Sequence, residues 1–166
     1  MTYGVGDIVV YPHHGAAVVE RKESRTHKGE TNEYLVLRPT YGSLTVMVPA
    51  DACSEVGIRE VISSAEVTEV LEVLRAEEAP EGKTPGSWAR RFKANAEKLR
   101  SGDIFEVAEV VRNLVVRSHG SELSAGENRL LAKAKQILLS ELAAATGTDE
   151  EEADRLISQI LEPQSA

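Results

Sequence analysis

The stretch AEEAPEGKTPGS, residues 76–87, separates two parts of the chain that follow different periodicities. It holds two prolines, two glycines and four charged residues without an apolar period. Neither a helical stripe nor a strand alternation can run through it, so it reads as a linker or hinge and as the expected domain boundary.

On its N-terminal side, VGDIVVYP (5–12), GAAVVER (15–21), NEYLVLRP (32–39) and SLTVMVP (43–49) are short runs rich in Val, Ile, Leu and Tyr, bounded by Gly, Pro, His or Asn. Strand signals about ten residues apart, with turn residues between them, predict a closed or nearly closed small antiparallel β-barrel. KGETN (28–32) and TYGS (40–43) are the expected hairpin tips. A helix over residues 65–75 follows, with Val67, Val70, Leu71 and Leu74 on one face.

The C-terminal side is helical. Ser87 can cap a helix over residues 88–100. Asp103 with Glu106, Ser124 with Glu127 and Thr148 with Glu151 each have capping-box spacing at the start of a further helix. Ile104, Val107, Ala108, Val111, Leu114 and Val115 form one apolar stripe, and Leu130, Leu131, Ala134, Ile137, Leu138 and Leu142 another. A bundle of four short helices would bury them. The expected organisation is α+β: a barrel domain over 1–60, a helix and hinge over 61–87, and a helical domain with an acidic tail over 88–166.

No apolar run approaches the roughly 18–20 residues that span a bilayer, and no signal peptide is visible. The single Cys53 fits a reducing compartment, so a cytoplasmic protein is expected. The net charge of −8 argues against a simple DNA-binding protein, but it is unevenly spread. Residues 1–83 carry −6, residues 84–142 carry +3 and residues 143–166 carry −5. So small a basic surplus would hold DNA weakly and in a salt-sensitive way, so a second contact is needed to bring the chain there.

Catalytic and metal chemistry find no foothold. His13 and His14 are adjacent, His27 and His119 lie far away, and no Cys or His pair has zinc-like spacing. Cys53 lacks a neighbouring His or helix start that would activate it. Gly4-Val5-Gly6 lacks the third glycine and the lysine of a phosphate loop. No catalytic residue, metal or cofactor is expected.

The informative stretch is SWARRFKANAEKLR (87–100). It carries the only tryptophan and five cations, Arg90, Arg91, Lys93, Lys98 and Arg100, against one acid, Glu97. At about 100° per residue, Trp88, Phe92 and Leu99 fall within about 40° of one another, with the cations elsewhere. Two readings are open on pattern alone. Trp88 is a core anchor beneath a solvated basic face, or it projects from the first helical position as an apolar wedge against distorted DNA.

Taken together, VGDIVVYPHHGAAVVE, EYLVL, LTVMVP, SWARRFKANAEKL…GD and LSAGENRLLAKAKQIL resemble the CarD family of bacterial transcription regulators almost from end to end. The barrel motif is shared with transcription-repair coupling factor, whose helicase motifs this chain lacks. The resemblance implies a Tudor-like domain that binds the β-subunit lobe of RNA polymerase, and a helical domain that touches promoter DNA at the upstream edge of the bubble. It implies that Trp88 wedges into the minor groove there and hinders bubble collapse. Arg90, Arg91, Lys93 and Lys133 would face the DNA backbone, and Arg25 would contact the β lobe. Close relatives carry arginine in place of Met47, an aliphatic residue in place of His27 and lysine in place of Asn128. The same surfaces with altered contacts are therefore expected around Arg25, His27 and Met47.

The implied mechanism is a tethered wedge, acting as a monomer without nucleotide hydrolysis and with little sequence specificity. A protein-only adaptor with Trp88 buried is the alternative, and an enzyme a third class.

Overall fold

The structure, a computed structural model, describes residues 3–11, 14–40, 44–76 and 88–162. Five antiparallel strands come first: β1 (Ile8–Tyr11), β2 (Gly15–His27), β3 (Glu30–Pro39), β4 (Val46–Pro49) and β5 (Arg59–Glu60), in the order β4-β3-β2-β1-β5. A 3-10 turn and a single-turn helix α1 (Cys53–Val56) lead into β5. Five longer helices complete the chain: α2 (Ser64–Arg75), α3 (Trp88–Arg100), α4 (Ile104–Ser118), α5 (Ala125–Thr146) and α6 (Glu150–Leu161). The α+β reading and its Tudor-like N-terminal sheet hold.

The β2–β3 hairpin is longer than the apolar pattern suggested. β2 was expected to end at residue 21 but runs to His27, because the pairing continues through polar residues out to His27↔Glu30. Lys28 and Gly29 make the turn with φ of 52° and 81°. Two positive φ values in a two-residue loop match the twist of the flanking strands, and Gly29 supplies one of them without strain. The Thr26 and Thr31 hydroxyls, 2.9 Å apart, bridge the strands near the tip. A bulge leaves Glu20 unpaired between Val19↔Leu37 and Arg21↔Val36. The expected tip at TYGS lies, from residue 41, outside the described residues.

One face of the sheet closes over Val9, Ala17, Val19, Leu35, Leu37, Val48, Cys53 and Ile58. The opposite face is buried at Val10, Ala16 and Val36. The start of β2 packs on α5. The Ala16 N–H donates to Ser140 Oγ at 2.9 Å, and Gly15 (φ 80°) lies so close to Ser140 and the Ile137 backbone that a Cβ would not fit. Arg59 of β5 donates from both terminal nitrogens to the Glu141 carboxylate at 2.7 Å, and the Ile62 N–H adds a third bond at 3.0 Å. Glu141 is 0% exposed. Burial alone would weaken the Arg59 cation, but the Glu141 carboxylate more than offsets this and keeps it protonated. Sheet and helices are thus joined by a buried, charge-assisted contact.

The helical core takes in more than the four C-terminal helices. α2 was grouped with the linker, yet Val67, Val70 and Leu74 belong to the same apolar cluster as Val107, Val111, Leu114, Leu138 and Ile157. Its apolar stripe has to be covered, and α4, α5 and α6 cover it. Among the described residues the bundle therefore has five helices, and α5, at 22 residues or about 33 Å, is not short. Buried Arg112 ties α4 to α2 by donating to the Val73 carbonyl at 3.2 Å. The expected hinge lies, from residue 77 to 87, outside the described residues.

The caps follow the same comparison. Ser63 and Glu66 form a reciprocal capping box at α2, and Ser124 and Glu127 form the expected one at α5. Asp103 caps α4 through the Phe105 N–H at 2.9 Å. α6 is capped by Asp149, whose Oδ1 accepts the Glu152 N–H at 2.8 Å, not by Thr148. The Thr148 hydroxyl instead meets that of Thr146.

Candidate nucleic-acid interface

α3 lies along α4 and the start of α5. Its inner face carries Phe92, buried Asn95 and Leu99, which joins the helical core. Asn95 Oδ1 accepts from Asn113 of α4 at 3.4 Å. Trp88 opens the helix on the same side but resolves the two readings into neither extreme: it is 43% exposed, with one part against the bundle and the rest in solvent.

Two contacts hold the indole. Its ring stacks on Phe92, centroids 5.3 Å apart and planes 17° from parallel. Its Nε1–H donates to Glu127 Oε1 at 3.0 Å. Phe92 in turn lies against Gly126, where a Cβ would come within 3.1 Å of the ring. Glu127 is only 4% exposed; Oε1 also accepts the Ser124 N–H at 3.1 Å, and Oε2 faces Arg117 Nε of α4 at 3.3 Å. Burial alone would raise the Glu127 carboxyl. The Ser124 N–H, the Trp88 indole, the Ser124 hydroxyl and the Arg117 charge outweigh it and hold the group below its ordinary 4.5. Glu127 therefore stays a carboxylate under Trp88 at neutral pH.

The cations of α3 divide by role. Lys98 is committed to Glu109 of α4 at 2.7 Å. Arg90, Lys93 and Arg100 are exposed, and no carboxylate among the described residues pairs with them. Arg91 is half-buried between these two sets. Lys133 lies on α5, half-buried, two turns beyond the helix start that holds Trp88. Trp88, Arg90, Arg91 and Lys93 are thus carried by one helix, and Lys133 by the helix it packs against.

The other candidate residues lie on the sheet and share one face. Arg25 pairs with Asn32, His27 with Glu30 and Met47 with Val36. Glu30, Asn32 and Val36 are even-numbered neighbours on β3, so their partners point to the same side. Arg25 and His27 lie on β2 toward its turn into β3, and Met47 lies on β4. Arg25 is exposed and 3.7 Å from Glu23, a weak surface pair.

Cys53 is buried, its thiol directed to the Pro49 carbonyl at 3.6 Å. Burial, then the Asp51 charge, pushes that thiol up, away from reactivity. His14 packs edge-on against Tyr11. Among the described residues, no helix is long and apolar enough to cross a membrane.

A CarD C-terminal domain model matches residues 60–158, and a CarD-like/TRCF RID domain model matches residues 3–62. The chain belongs to the CarD family. It is also 32% identical over 150 residues to the "Putative transcription factor YdeB" of Bacillus subtilis (strain 168), covering 90% of this chain and 96% of that protein. This is a CarD-family transcription factor, and membership of the family implies an interaction with RNA polymerase. The CarD C-terminal match begins at residue 60 and includes α2, in keeping with where α2 packs.

Sequence reasoning read Glu127 only as a cap and passed over Arg117, Gly126, Arg59, Glu141, Ser140 and the packing role of Gly15. The Ser124–Glu127 spacing was a signal for the cap, but not for the indole above it. Arg59 and Glu141, 82 residues apart, leave no local signal.

Proposed function

We propose that this CarD-family protein docks on the β-subunit lobe of RNA polymerase through the sheet face bearing Arg25, His27 and Met47. From there it presents Trp88 to the minor groove at the upstream edge of the transcription bubble. Arg90, Arg91, Lys93 and Lys133 attract the flanking backbone, and the protein acts as a cytoplasmic monomer. The observation that carries this reading is the half-exposed Trp88, held at the first position of a helix whose exposed Arg90, Lys93 and Arg100 have no carboxylate partner among the described residues.

The energetics fit a tethered contact. A chain of net charge −8 binds DNA poorly alone. Docking on polymerase makes the second contact intramolecular, which strengthens it by roughly 10²–10⁴-fold. Unstacking a base step costs a few kcal/mol, and an aromatic contact returns on the order of 1–3 kcal/mol. The wedge does not have to melt DNA. Favouring the open state by about 1.4 kcal/mol shifts the equilibrium tenfold.

The test is the lifetime of promoter open complexes formed with polymerase and either the wild-type protein or Trp88→Ala. A shortened lifetime with polymerase binding intact is expected. An unchanged lifetime would reject the wedge and leave the protein-only adaptor.

A further inference from the structure

We propose that Glu127, braced by Arg117, is a positioning residue that sets the orientation in which Trp88 meets its target. This rests on the reading of Trp88 as the DNA contact and adds a group that never touches DNA.

The argument begins with an internal control. Two helices of this protein start with the same reciprocal box, Ser63–Glu66 and Ser124–Glu127. At α2 the box sits at the surface, with Ser63 exposed and Glu66 half-exposed, and it caps the helix there. Capping therefore does not require a buried carboxylate. At α5 the carboxylate is buried, which carries a desolvation cost that a cap alone gives no reason to bear. What differs is what lies over it: the indole N–H on one oxygen and the Arg117 guanidinium opposite the other.

The geometry determines the indole in two independent ways. Stacking on Phe92 defines the ring plane, and the bond from Nε1 to Glu127 defines the rotation within that plane. A tryptophan at the first turn of a helix would otherwise sample several rotamers. A side chain already ordered in the free protein loses less freedom on binding, and this pre-organisation strengthens the contact. Arg117 Nε lies 3.3 Å from the second oxygen as a charge contact without a hydrogen bond, while the first accepts from Ser124 and Trp88.

The experiment combines two readouts on the full chain. One is the hydrogen-exchange protection of the Trp88 indole N–H in the free protein, and the other is open-complex lifetime with polymerase. Glu127→Ala is expected to lose the protection and shorten the lifetime by about threefold to tenfold, in line with one side chain left unordered. Glu127→Gln, which keeps an acceptor and the box, is expected to recover both. Ser124→Ala, which weakens the same cap but leaves the carboxylate, is expected to keep the indole protected and the lifetime near wild type. In the double variant Trp88→Ala/Glu127→Ala, the lifetime should match that of Trp88→Ala alone. A normal lifetime in Glu127→Ala beside a short one in Trp88→Ala would overturn the inference and spare the wedge. Equal damage from Ser124→Ala and Glu127→Ala would reduce Glu127 to a cap. An unchanged lifetime in Trp88→Ala would instead remove the wedge reading on which the inference depends.

Discussion

The two ends of α5 make a comparison within one helix. Glu127 and Glu141 are both buried, both face an arginine, and lie about 21 Å apart within about 40° of the same face. Glu141 is enclosed completely: two 2.7 Å bonds from Arg59 and one from the Ile62 N–H saturate it and lock the sheet to the bundle. Glu127 has a looser arginine contact at 3.3 Å and uses an oxygen on the indole of a half-exposed tryptophan. One carboxylate serves a joint and the other a surface side chain. Their partners, not the residue type, make the difference.

The joint should be the more costly to break. Arg59→Ala leaves the Glu141 carboxylate uncompensated and is expected to lose about 3–5 kcal/mol in urea unfolding. Replacing both partners with apolar residues, Arg59→Met with Glu141→Leu, should recover most of that loss. If the single variant unfolded at the wild-type urea concentration, the joint would not be a stabilising contact.

Gly15→Ala tests the close approach beside it. A Cβ at φ 80° would press on Ser140 and the Ile137 backbone, so a loss of about 1–3 kcal/mol is expected. Ser140→Ala is milder: the buried Ala16 N–H loses its acceptor, for about 1–2 kcal/mol. A cost from Ser140→Ala larger than from Gly15→Ala would mean that the hydrogen bond, and not the packing, holds the sheet on α5.

At the other end of α5, effects should appear in Trp88 more than in global stability. Gly126→Ala brings a Cβ to 3.1 Å from the Phe92 ring, so the Trp88–Phe92 stack must shift. A change in iodide quenching of Trp88 is expected, with unfolding moved by less than about 1 kcal/mol. Unaltered quenching would show that the stack tolerates the methyl group.

Acid gives the smallest effect and a clear sign. The folded Glu127 carboxyl lies below its ordinary 4.5, so its contribution is fully present above that value. The contribution is lost as pH falls through the lower, folded value. The indole N–H should stay protected below the pH at which an ordinary glutamate protonates. Loss of protection beginning above 4.5 would contradict the network.

Much of the fold was legible because it is encoded locally. Helix faces such as Val107, Val111 and Leu114, and the cap at Ser124, are set by neighbours within a turn or two. The far end of β2 was not legible, because Lys22 to His27 show no apolar alternation and are held by a ladder and a tight turn. α2 was recognised as a helix but placed with the linker, since no pattern within residues 64–75 says which body will cover its face. The site divides the same way. The cations and the tryptophan of α3 stood out in composition, while the acceptor under the indole did not.

By itself the sequence determined four of the five strands and the five longer helices in order, most helix starts, the localised basic surplus and the presence of one aromatic at the start of α3, but not the short α1 and β5. These depend on residue type and on spacing of a few positions. Only the tertiary structure decided that Trp88 is half in and half out, that Lys98 is spent on Glu109, and that Arg25, His27 and Met47 share a face. It also decided that Arg59 meets Glu141 across the joint. Each of these brings together residues far apart in the chain, and burial and pairing at such distances follow from packing, which local periodicity does not carry.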